Sequence, residues 1–236
     1  MNNTTLIILI AGSSKRFGGK IKKQFIKVDN RPIFIHSLIS MLKFNFNNVI
    51  LVSAEEEINN IKKYIEKEPL IKEKIKKNMH FIKGGDERVY SVYNAMTFLN
   101  NHRDDIKTDY VFIHDGVRPL VSKNEIKSLC EMVFEYDAAI LASKVVDTIK
   151  KVDKNNNIIE TIDRTYLYRA ATPQGFKFDN YMLAIDKYIN DKNANLVTDD
   201  AEIYSRYFGE VKVLECSANN IKITNKEDLN IFIKMK

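Results

Sequence analysis

Short runs of β-branched and aliphatic residues alternate with longer amphipathic segments along this chain, and this alternation restricts the folds open to it. The first run, residues 4–10, is apolar at nearly every position, as expected of a strand covered on both faces. Similar runs follow at residues 49–52, 79–82, 110–113 and 138–142. Strands that alternate with helices predict an α/β fold with a mostly parallel sheet and helices on both faces.

Helical spacing fills the gaps between these runs. The predicted helices cover residues 32–43, 55–67, 88–99 and 179–189. Capping boxes at Ser122-Lys123-Asn124-Glu125 and Thr224-Asn225-Lys226-Glu227 predict two further helix starts. Thr198 is expected to cap another helix that ends near Gly209, and residues 211–214 are expected to form a late strand.

Residues 144–168 interrupt this rhythm. Residues 147–152 and 158–162 are strand-like, and the turn-rich sequence Asp153-Lys154-Asn155-Asn156-Asn157 joins them. The pattern predicts a β-hairpin inserted in an α/β chain, and its charge favours a projecting arm. With no repeat or linker in view, we expect residues 1–236 to form one domain with residues 144–168 as an inserted β-arm.

Composition restricts the class of partner. Lys and Arg number 37 against 31 Asp and Glu, which gives a net charge of +6. The positive charge is scattered, so it favours an anionic small substrate over nucleic acid. No apolar run approaches the roughly 20 residues that a membrane span requires. We expect a cytoplasmic protein with no membrane partner. The four histidines lack the spacing of zinc ligands, which argues against a zinc site.

In a parallel sheet of this kind, ligands bind beyond the carboxyl ends of the strands. The loop after the first run, Ala11 to Lys20 with Lys23 beyond it, combines small and basic residues suited to phosphate oxygens. It matches neither G-x-G-x-x-G nor a P-loop, because Ile21 stands where a P-loop needs Ser or Thr. By itself this loop is equally consistent with a basic surface loop.

Two later loops are also candidates. Gly84-Gly85-Asp86-Glu87-Arg88 directly follows a predicted strand, and paired glycines there favour close approach of a ligand to the backbone. His114-Asp115-Gly116-Val117-Arg118-Pro119 places a carboxylate at another strand end, where it can face a ribose or a metal ion. A plain turn and an exposed aspartate remain the alternatives for these two loops.

Taken together and in order, these segments resemble the methylerythritol-phosphate cytidylyltransferases of the non-mevalonate isoprenoid pathway. The resemblance covers residues 6–229, nearly the whole chain, and implies a Rossmann-like sheet. The shared pieces are Ala11-Gly12 to Arg16, Lys23-Gln24, Gly84 to Arg88 with Ser91-Val92, His114-Asp115 with Arg118-Pro119, Asp147 to Lys150, Asp163-Arg164, Thr172-Pro173-Gln174, Thr198-Asp199 and Asn220-Ile221-Lys222. Four of the chain's eight arginines fall inside this set.

The resemblance implies that the chain transfers a cytidylyl group from CTP to methylerythritol phosphate and releases pyrophosphate. It assigns catalytic roles to four cationic residues, in which Arg16 and Lys23 stabilise charge on the CTP α-phosphate while Lys222 and Arg164 position the polyol phosphate. The nucleotide side is assigned to Ala11, Gly12, Gly85, Asp86, Ser91, Asp115 and Gly116. The substrate side is assigned to Thr148, Arg118, Thr172 and Thr198.

The resemblance also implies a homodimer, in which the arm carries Arg164 and Thr148 into the partner's active site. In-line attack by a phosphate oxygen needs positioning and cationic stabilisation, with no protein acid or nucleophile. Mg²⁺ is expected to be bound mainly through the CTP phosphates, and no protein ligand is assigned to it.

The chain departs from the family pattern at Ile10, Ser14, Lys22 and Ala171, and at Gly116-Val117, but none of these changes removes a charged catalytic group. Two other functions remain open at this stage. One is a ribitol-phosphate cytidylyltransferase, and the other is a non-catalytic nucleotide-binding protein.

Overall fold

The computed structural model describes residues 2–12, 17, 21–74 and 78–236. The strands of its central sheet are β1 (Thr4–Leu9), β4 (Asn48–Ser53), β5 (Met79–Lys83), β6 (Tyr110–Asp115), β7 (Ala138–Lys144), β10 (Tyr168–Lys177) and β11 (Lys212–Glu215). Their order across the sheet is β11-β7-β10-β6-β1-β4-β5. Two small antiparallel pairs lie outside it: β2 (Lys27–Val28) with β3 (Arg31–Pro32), and β8 (Ile149–Val152) with β9 (Ile158–Ile162).

Helices cover both faces of this sheet. They are α1 (Ile33–Met41), α2 (Ile58–Glu66), α3 (Pro69–Lys74), α4 (Arg88–Asn101), α5 (Lys123–Tyr136), α6 (Phe178–Asn190), α7 (Asp200–Tyr207) and α8 (Lys226–Met235). In β1, Leu6 and Ile8 pack into the core on the side of α1 and α5, while Ile7 packs on the side of α4 and α6. Among the described residues, none of the helices combines the length and apolar character that crossing a bilayer requires.

The predicted α/β class is confirmed, and so is the mostly parallel sheet. Strand β1 pairs in parallel with β4 and β6, and β4–β5 and β7–β11 are parallel pairs too. The exception is β10, which runs antiparallel between β6 and β7. The sequence pattern does not predict β10. Its register breaks between Ala170 and Gln174, beside the end of β6.

Two predicted helix caps are wrong by one residue. Asp199, not Thr198, caps α7, because its carboxylate accepts the Glu202 backbone N–H at 3.0 Å. Thr198 instead donates its own N–H to the Glu202 carboxylate at 3.1 Å.

At the start of α8 the capping box consists of Asn225 and Asp228, not Thr224 and Glu227. Thr224 donates its backbone N–H to the Asp228 carboxylate at 2.7 Å. In both places several neighbouring residues can cap a helix, so composition alone does not select the one that does.

The predicted hairpin is confirmed as β8 and β9. It leaves the central sheet between Lys144, the last residue of β7, and Tyr168, which pairs with Lys144 at the start of β10. Several apolar side chains on this segment are exposed, and Tyr166 reaches 88% exposure. The arm therefore presents apolar side chains to solvent.

Candidate functional site

Two adjoining cavities lie at the carboxyl-end edge of the sheet. The larger, of about 510 Å³, is lined by the ends of β1 and β6, the start of α4 and the segment before α8. The smaller, of about 210 Å³, lies against the irregular part of β10 and the start of α7. Arg88, Asp115 and Lys222 line both cavities and form the wall between them.

The entrance to the first loop is fixed by a buried glutamine. Gln24 donates its side-chain amide to the carbonyls of Ile10 and Gly12, at 2.7 and 2.9 Å. These bonds tie the end of β1 to the 3₁₀ turn Lys23–Phe25, so Lys23 is held beside Ala11 and Gly12 in the larger cavity. Arg16 lies outside the described residues.

The glycine pair after β5 permits a close approach between backbones. A Cβ atom on Gly85 would lie 2.4 Å from Cβ of Tyr90, and one on Gly84 would lie 2.7 Å from Cβ of Ala11. Ser91 lies one turn into α4, and its hydroxyl accepts the Gly85 N–H at 3.1 Å. The loop therefore packs tightly on the first turn of α4 while Gly85, Asp86 and Ser91 face the larger cavity.

Asp115 is a buried carboxylate among three cations. Its Oδ2 lies 2.7 Å from Lys222 Nζ and 3.7 Å from Arg118 Nε, and its Oδ1 lies 3.4 Å from Arg88 Nε. Burial alone would raise the pKa of Asp115, but the charges of Arg88, Lys222 and Arg118 outweigh burial and hold the pKa well below its usual range. Asp115 therefore stays ionised and organises the cations around it.

The segment that carries Lys222 is fixed to the loop after β6 and to β10. Ile223 is buried and donates its N–H to the Val117 carbonyl at 2.9 Å. Asn220 donates its side-chain amide to the Thr172 carbonyl at 2.9 Å and accepts Arg118 Nη1 on its own carbonyl at 2.7 Å. These hydrogen bonds fix the backbone on both sides of Lys222.

His114, at the end of β6, is fully buried and connects this strand to β10 and to the loop that follows β6. The Arg118 carbonyl can only accept, so Nε2 of His114 carries the proton and donates to it at 3.0 Å. Nδ1 of the neutral ring then accepts the Thr172 hydroxyl at 3.1 Å, and that hydroxyl in turn accepts the Asp115 N–H, also at 3.1 Å. Burial lowers the pKa of His114 to about 4, which keeps the ring neutral at physiological pH.

This histidine predicts acid sensitivity. Between pH 6.5 and about 4 the unfolded chain binds a proton at His114 that the folded chain does not, so stability falls as the pH falls through this range. The loss from this one group amounts to about 3 kcal/mol. Urea unfolding of the wild type and of His114→Gln across this range should show a flatter pH dependence in the variant. Parallel curves would contradict the assignment, since His36 and His80, whose pKa values are also lowered by burial, are common to both proteins.

The structure brings most of the predicted site residues together. Lining the larger cavity are Ala11, Gly12, Lys23, Gly85, Asp86, Ser91, Asp115 and Lys222. Lining the smaller are Arg118, Thr172 and Thr198, together with Asp115 and Lys222. Gly116 lines neither cavity, because it joins the strands: it donates its N–H to the Leu9 carbonyl at 2.9 Å and accepts the Ser37 hydroxyl at 3.0 Å.

The two predicted residues on the arm stand apart. Thr148 and Arg164 are exposed and line neither cavity of their own chain, and Arg164 donates to the Val146 carbonyl.

Arg88 and Gln174 are among the site residues that received no role from the sequence. Arg88 was noted only within a motif, yet it lies on the shared wall, and Gln174 joins β10 to α7.

Comparison with known proteins shows the family to which this chain belongs. Residues 4–233 match the family model described as 2-C-methyl-D-erythritol 4-phosphate cytidylyltransferase. Relatives of that name from Bacillus cereus and Clostridium botulinum are 37% and 38% identical, over 96% and 95% of this chain and 95% of each relative. A crystal structure of the Francisella tularensis protein of that name superposes with a TM-score of 0.79 at 29% identity, covering 100% of both chains. The chain therefore belongs to the 2-C-methyl-D-erythritol 4-phosphate cytidylyltransferase family.

Proposed function

We propose that this chain transfers the cytidylyl group of CTP to 2-C-methyl-D-erythritol 4-phosphate and releases pyrophosphate. The observation that carries the proposal is the pair of adjoining cavities with a cationic wall between them. A two-substrate transfer needs two sites that meet at the reacting phosphorus, and Arg88, Asp115 and Lys222 line both cavities where they meet.

The larger cavity suits the nucleotide. The backbone of Ala11, Gly12 and Gly85 borders it, and small residues let a phosphate or a base edge approach the chain closely. Lys23 supplies a positive charge from the 3₁₀ turn that Gln24 fixes. We assign Arg16 to the triphosphate of CTP as well, on the family pattern alone.

The smaller cavity suits the polyol phosphate. Arg118 and Lys222 supply two positive charges, and Thr198 supplies a hydroxyl group, while the hydroxyl of Thr172 is bonded to His114 and to the Asp115 N–H. Nε of Arg118 is buried without a hydrogen-bond partner and lies 3.7 Å from Oδ2 of Asp115, so the guanidinium is held at the edge of this cavity. A phosphate bound here would lie next to the wall that faces the CTP α-phosphate.

These positions support an in-line displacement. The polyol phosphate oxygen attacks the α-phosphorus of CTP, the new phosphorus–oxygen bond forms, and the bond to pyrophosphate breaks. Lys23 and Arg16 stabilise the charge that develops on the α-phosphate, and Lys222 orients the attacking phosphate. Fixed cations lower the barrier because they need no rearrangement as the charge develops.

Magnesium fits this site chiefly through the nucleotide. The carboxylates that line the larger cavity are Asp86, Glu87 and Asp115, and the oxygens of Asp115 already face three cations. The described residues hold no group of three or more His, Cys, Asp or Glu side chains placed to bind a metal ion. We therefore assign Mg²⁺ mainly to the CTP phosphates, where it would neutralise the leaving pyrophosphate.

We also propose that two copies of the chain assemble through the arm. The exposed apolar side chains of the arm suit burial against a second copy. In that arrangement Arg164 and Thr148 would complete the smaller cavity of the partner. A cytoplasmic location fits this activity, because CTP is an intracellular metabolite.

The test is pyrophosphate release from CTP and Mg²⁺ with either methylerythritol phosphate or ribitol phosphate. We expect release with methylerythritol phosphate and at most a trace with ribitol phosphate. Preference for ribitol phosphate would retain the chemistry but overturn the substrate, and no release with either would overturn the function.

The glycine pair predicts a specific effect on CTP. In Gly85→Ala the new methyl group would meet Cβ of Tyr90 at 2.4 Å and its backbone carbon at 3.1 Å, so the loop must move away from α4. We expect the KM for CTP to rise by about tenfold or more, with a smaller change in the KM for the polyol phosphate. Gly209→Ala, whose added Cβ would meet nothing within 4 Å, is the matched control. Equal KM values in Gly85→Ala and the wild type would contradict the close-approach argument.

A further inference from the structure

Asp200, in the first turn of α7, is a fully buried carboxylate that lines neither cavity. Its Oδ2 lies 2.7 Å from Nη2 of Arg88, and its Oδ1 accepts the hydroxyl of buried Tyr181 at 2.7 Å. Its backbone N–H donates to Oε1 of Gln174 on β10 at 3.1 Å. Asp200 is therefore fixed by α6 and β10 and presents one oxygen to Arg88.

Arg88 lies between two carboxylates. Nη2 meets Asp200, while Nε meets Oδ1 of Asp115 at 3.4 Å. Burial alone would lower the pKa of Arg88, but Asp200 and Asp115 outweigh burial and raise it, so the guanidinium is always charged. Because Asp200 holds one end of the guanidinium, Arg88 reaches Asp115 with Nε only.

This division leaves Oδ2 of Asp115 to Lys222 at 2.7 Å, with Arg118 further away at 3.7 Å. Arginine and carboxylate prefer a bidentate pair, in which both oxygens face the guanidinium. If Arg88 were released from Asp200, it would be free to turn and take both oxygens of Asp115. Lys222 would then lose the partner that lies 2.7 Å from its Nζ.

We propose that Asp200 is a positioning residue for the transfer reaction, which acts through Arg88 and Asp115 to hold Lys222 on the wall between the two cavities. The inference rests on the proposed function, since Lys222 is there assigned to the polyol phosphate. It predicts that replacing Asp200 weakens the binding of the polyol phosphate more than the binding of CTP.

The direction of the effect separates positioning from simple electrostatics. Removing the negative charge of Asp200 makes the site more positive, and charge alone would tighten the binding of an anionic substrate. Loss of positioning has the opposite sign, because Lys222 no longer meets the phosphate in the right place. The KM for the polyol phosphate therefore rises under our proposal and falls under the electrostatic alternative.

The experiment compares Asp200→Asn, Tyr181→Phe and the wild type. Asp200→Asn should lower kcat/KM for methylerythritol phosphate by about tenfold or more and raise its KM, while the Kd of CTP measured without the second substrate changes by less than about threefold. Tyr181→Phe keeps the ring stacked on Phe176 and removes only the hydroxyl, so a smaller change of the same sign is expected. The matched control is Asp191→Asn, which removes the charge from an exposed aspartate that accepts a tyrosine hydroxyl at 2.7 Å outside the site.

The outcomes are distinguishable. If the wild type is active and both site variants behave like Asp191→Asn, the positioning role is wrong while the proposed function stands. A lower KM for the polyol phosphate, or an equal loss of CTP affinity, also overturns it. If Asp200→Asn does not fold, Tyr181→Phe decides by the same criteria. A wild type without activity overturns the proposed function itself, and this inference with it.

Discussion

Replacing Lys222 with alanine is expected to lower kcat/KM for methylerythritol phosphate by about 100- to 1,000-fold, the range seen when one fixed donor to a developing charge is removed. The ammonium group lies on the wall shared by the two cavities, at 2.7 Å from Asp115. It can therefore meet the phosphate of one substrate beside the reacting phosphorus of the other. Steady-state kinetics with each substrate varied in turn measures the loss.

The fold should tolerate this change. Without Lys222, Asp115 still faces Arg88 at 3.4 Å and Arg118 at 3.7 Å, so its buried charge is not left unpaired. Lys226→Ala, four residues further along and exposed, removes a lysine from the same segment and should keep wild-type rates. Lys222→Arg retains the charge and should retain part of the activity. Wild-type kinetics in Lys222→Ala would remove this lysine from the mechanism.

The layered fold could be predicted because burial on both faces leaves a plain signal. Residues 6–10 are apolar throughout, and β1 lies inside the sheet between β4 and β6. Strand β10 left no such signal. It contains Arg169, Pro173 and Gly175, and it is held by its two neighbours rather than by an apolar pattern.

The candidate site could be predicted in outline for a related reason. The ends of β1, β5 and β6 must meet at one edge of the sheet, so Gly12, Gly85 and Asp115 were expected to lie near one another. Lys222 is different, because nothing in its spacing places it there. Lys222 could be predicted only from the family resemblance. In the structure, the hydrogen bond from the Ile223 N–H to the Val117 carbonyl fixes the backbone next to it.

The contact between Asp200 and Arg88, which lies behind the wall between the two cavities, could not be predicted. Asp199 and Asp200 are adjacent, and either is a good helix cap by composition. The structure gives them opposite tasks: Asp199 caps α7, and Asp200 turns inward to Arg88, which lies 112 residues away in sequence. A pairing at such a distance depends on how α4 and α7 meet around β10, and no local pattern records it.

The arm predicts complementation between two inactive variants. We expect Arg164→Ala and Lys222→Ala to be nearly inactive alone, and to recover activity when the two chains are produced together. In a mixed dimer, one site would combine intact Lys222 from one chain with intact Arg164 from the other. Half of randomly formed dimers are mixed and each has one good site, so about a quarter of wild-type activity should return.

The structure of the single chain motivates this expectation. Arg164 lines neither cavity of its own chain, and the arm that carries it exposes large apolar side chains such as Tyr166. Lys23→Ala paired with Lys222→Ala is the matched control, because both lysines line the same cavity of one chain and no mixed dimer contains a complete site. Recovery in the first pair alone would place Arg164 in the partner's site. If neither pair recovers, Arg164 acts within its own chain or takes no part in the reaction, and the crossed arm is wrong.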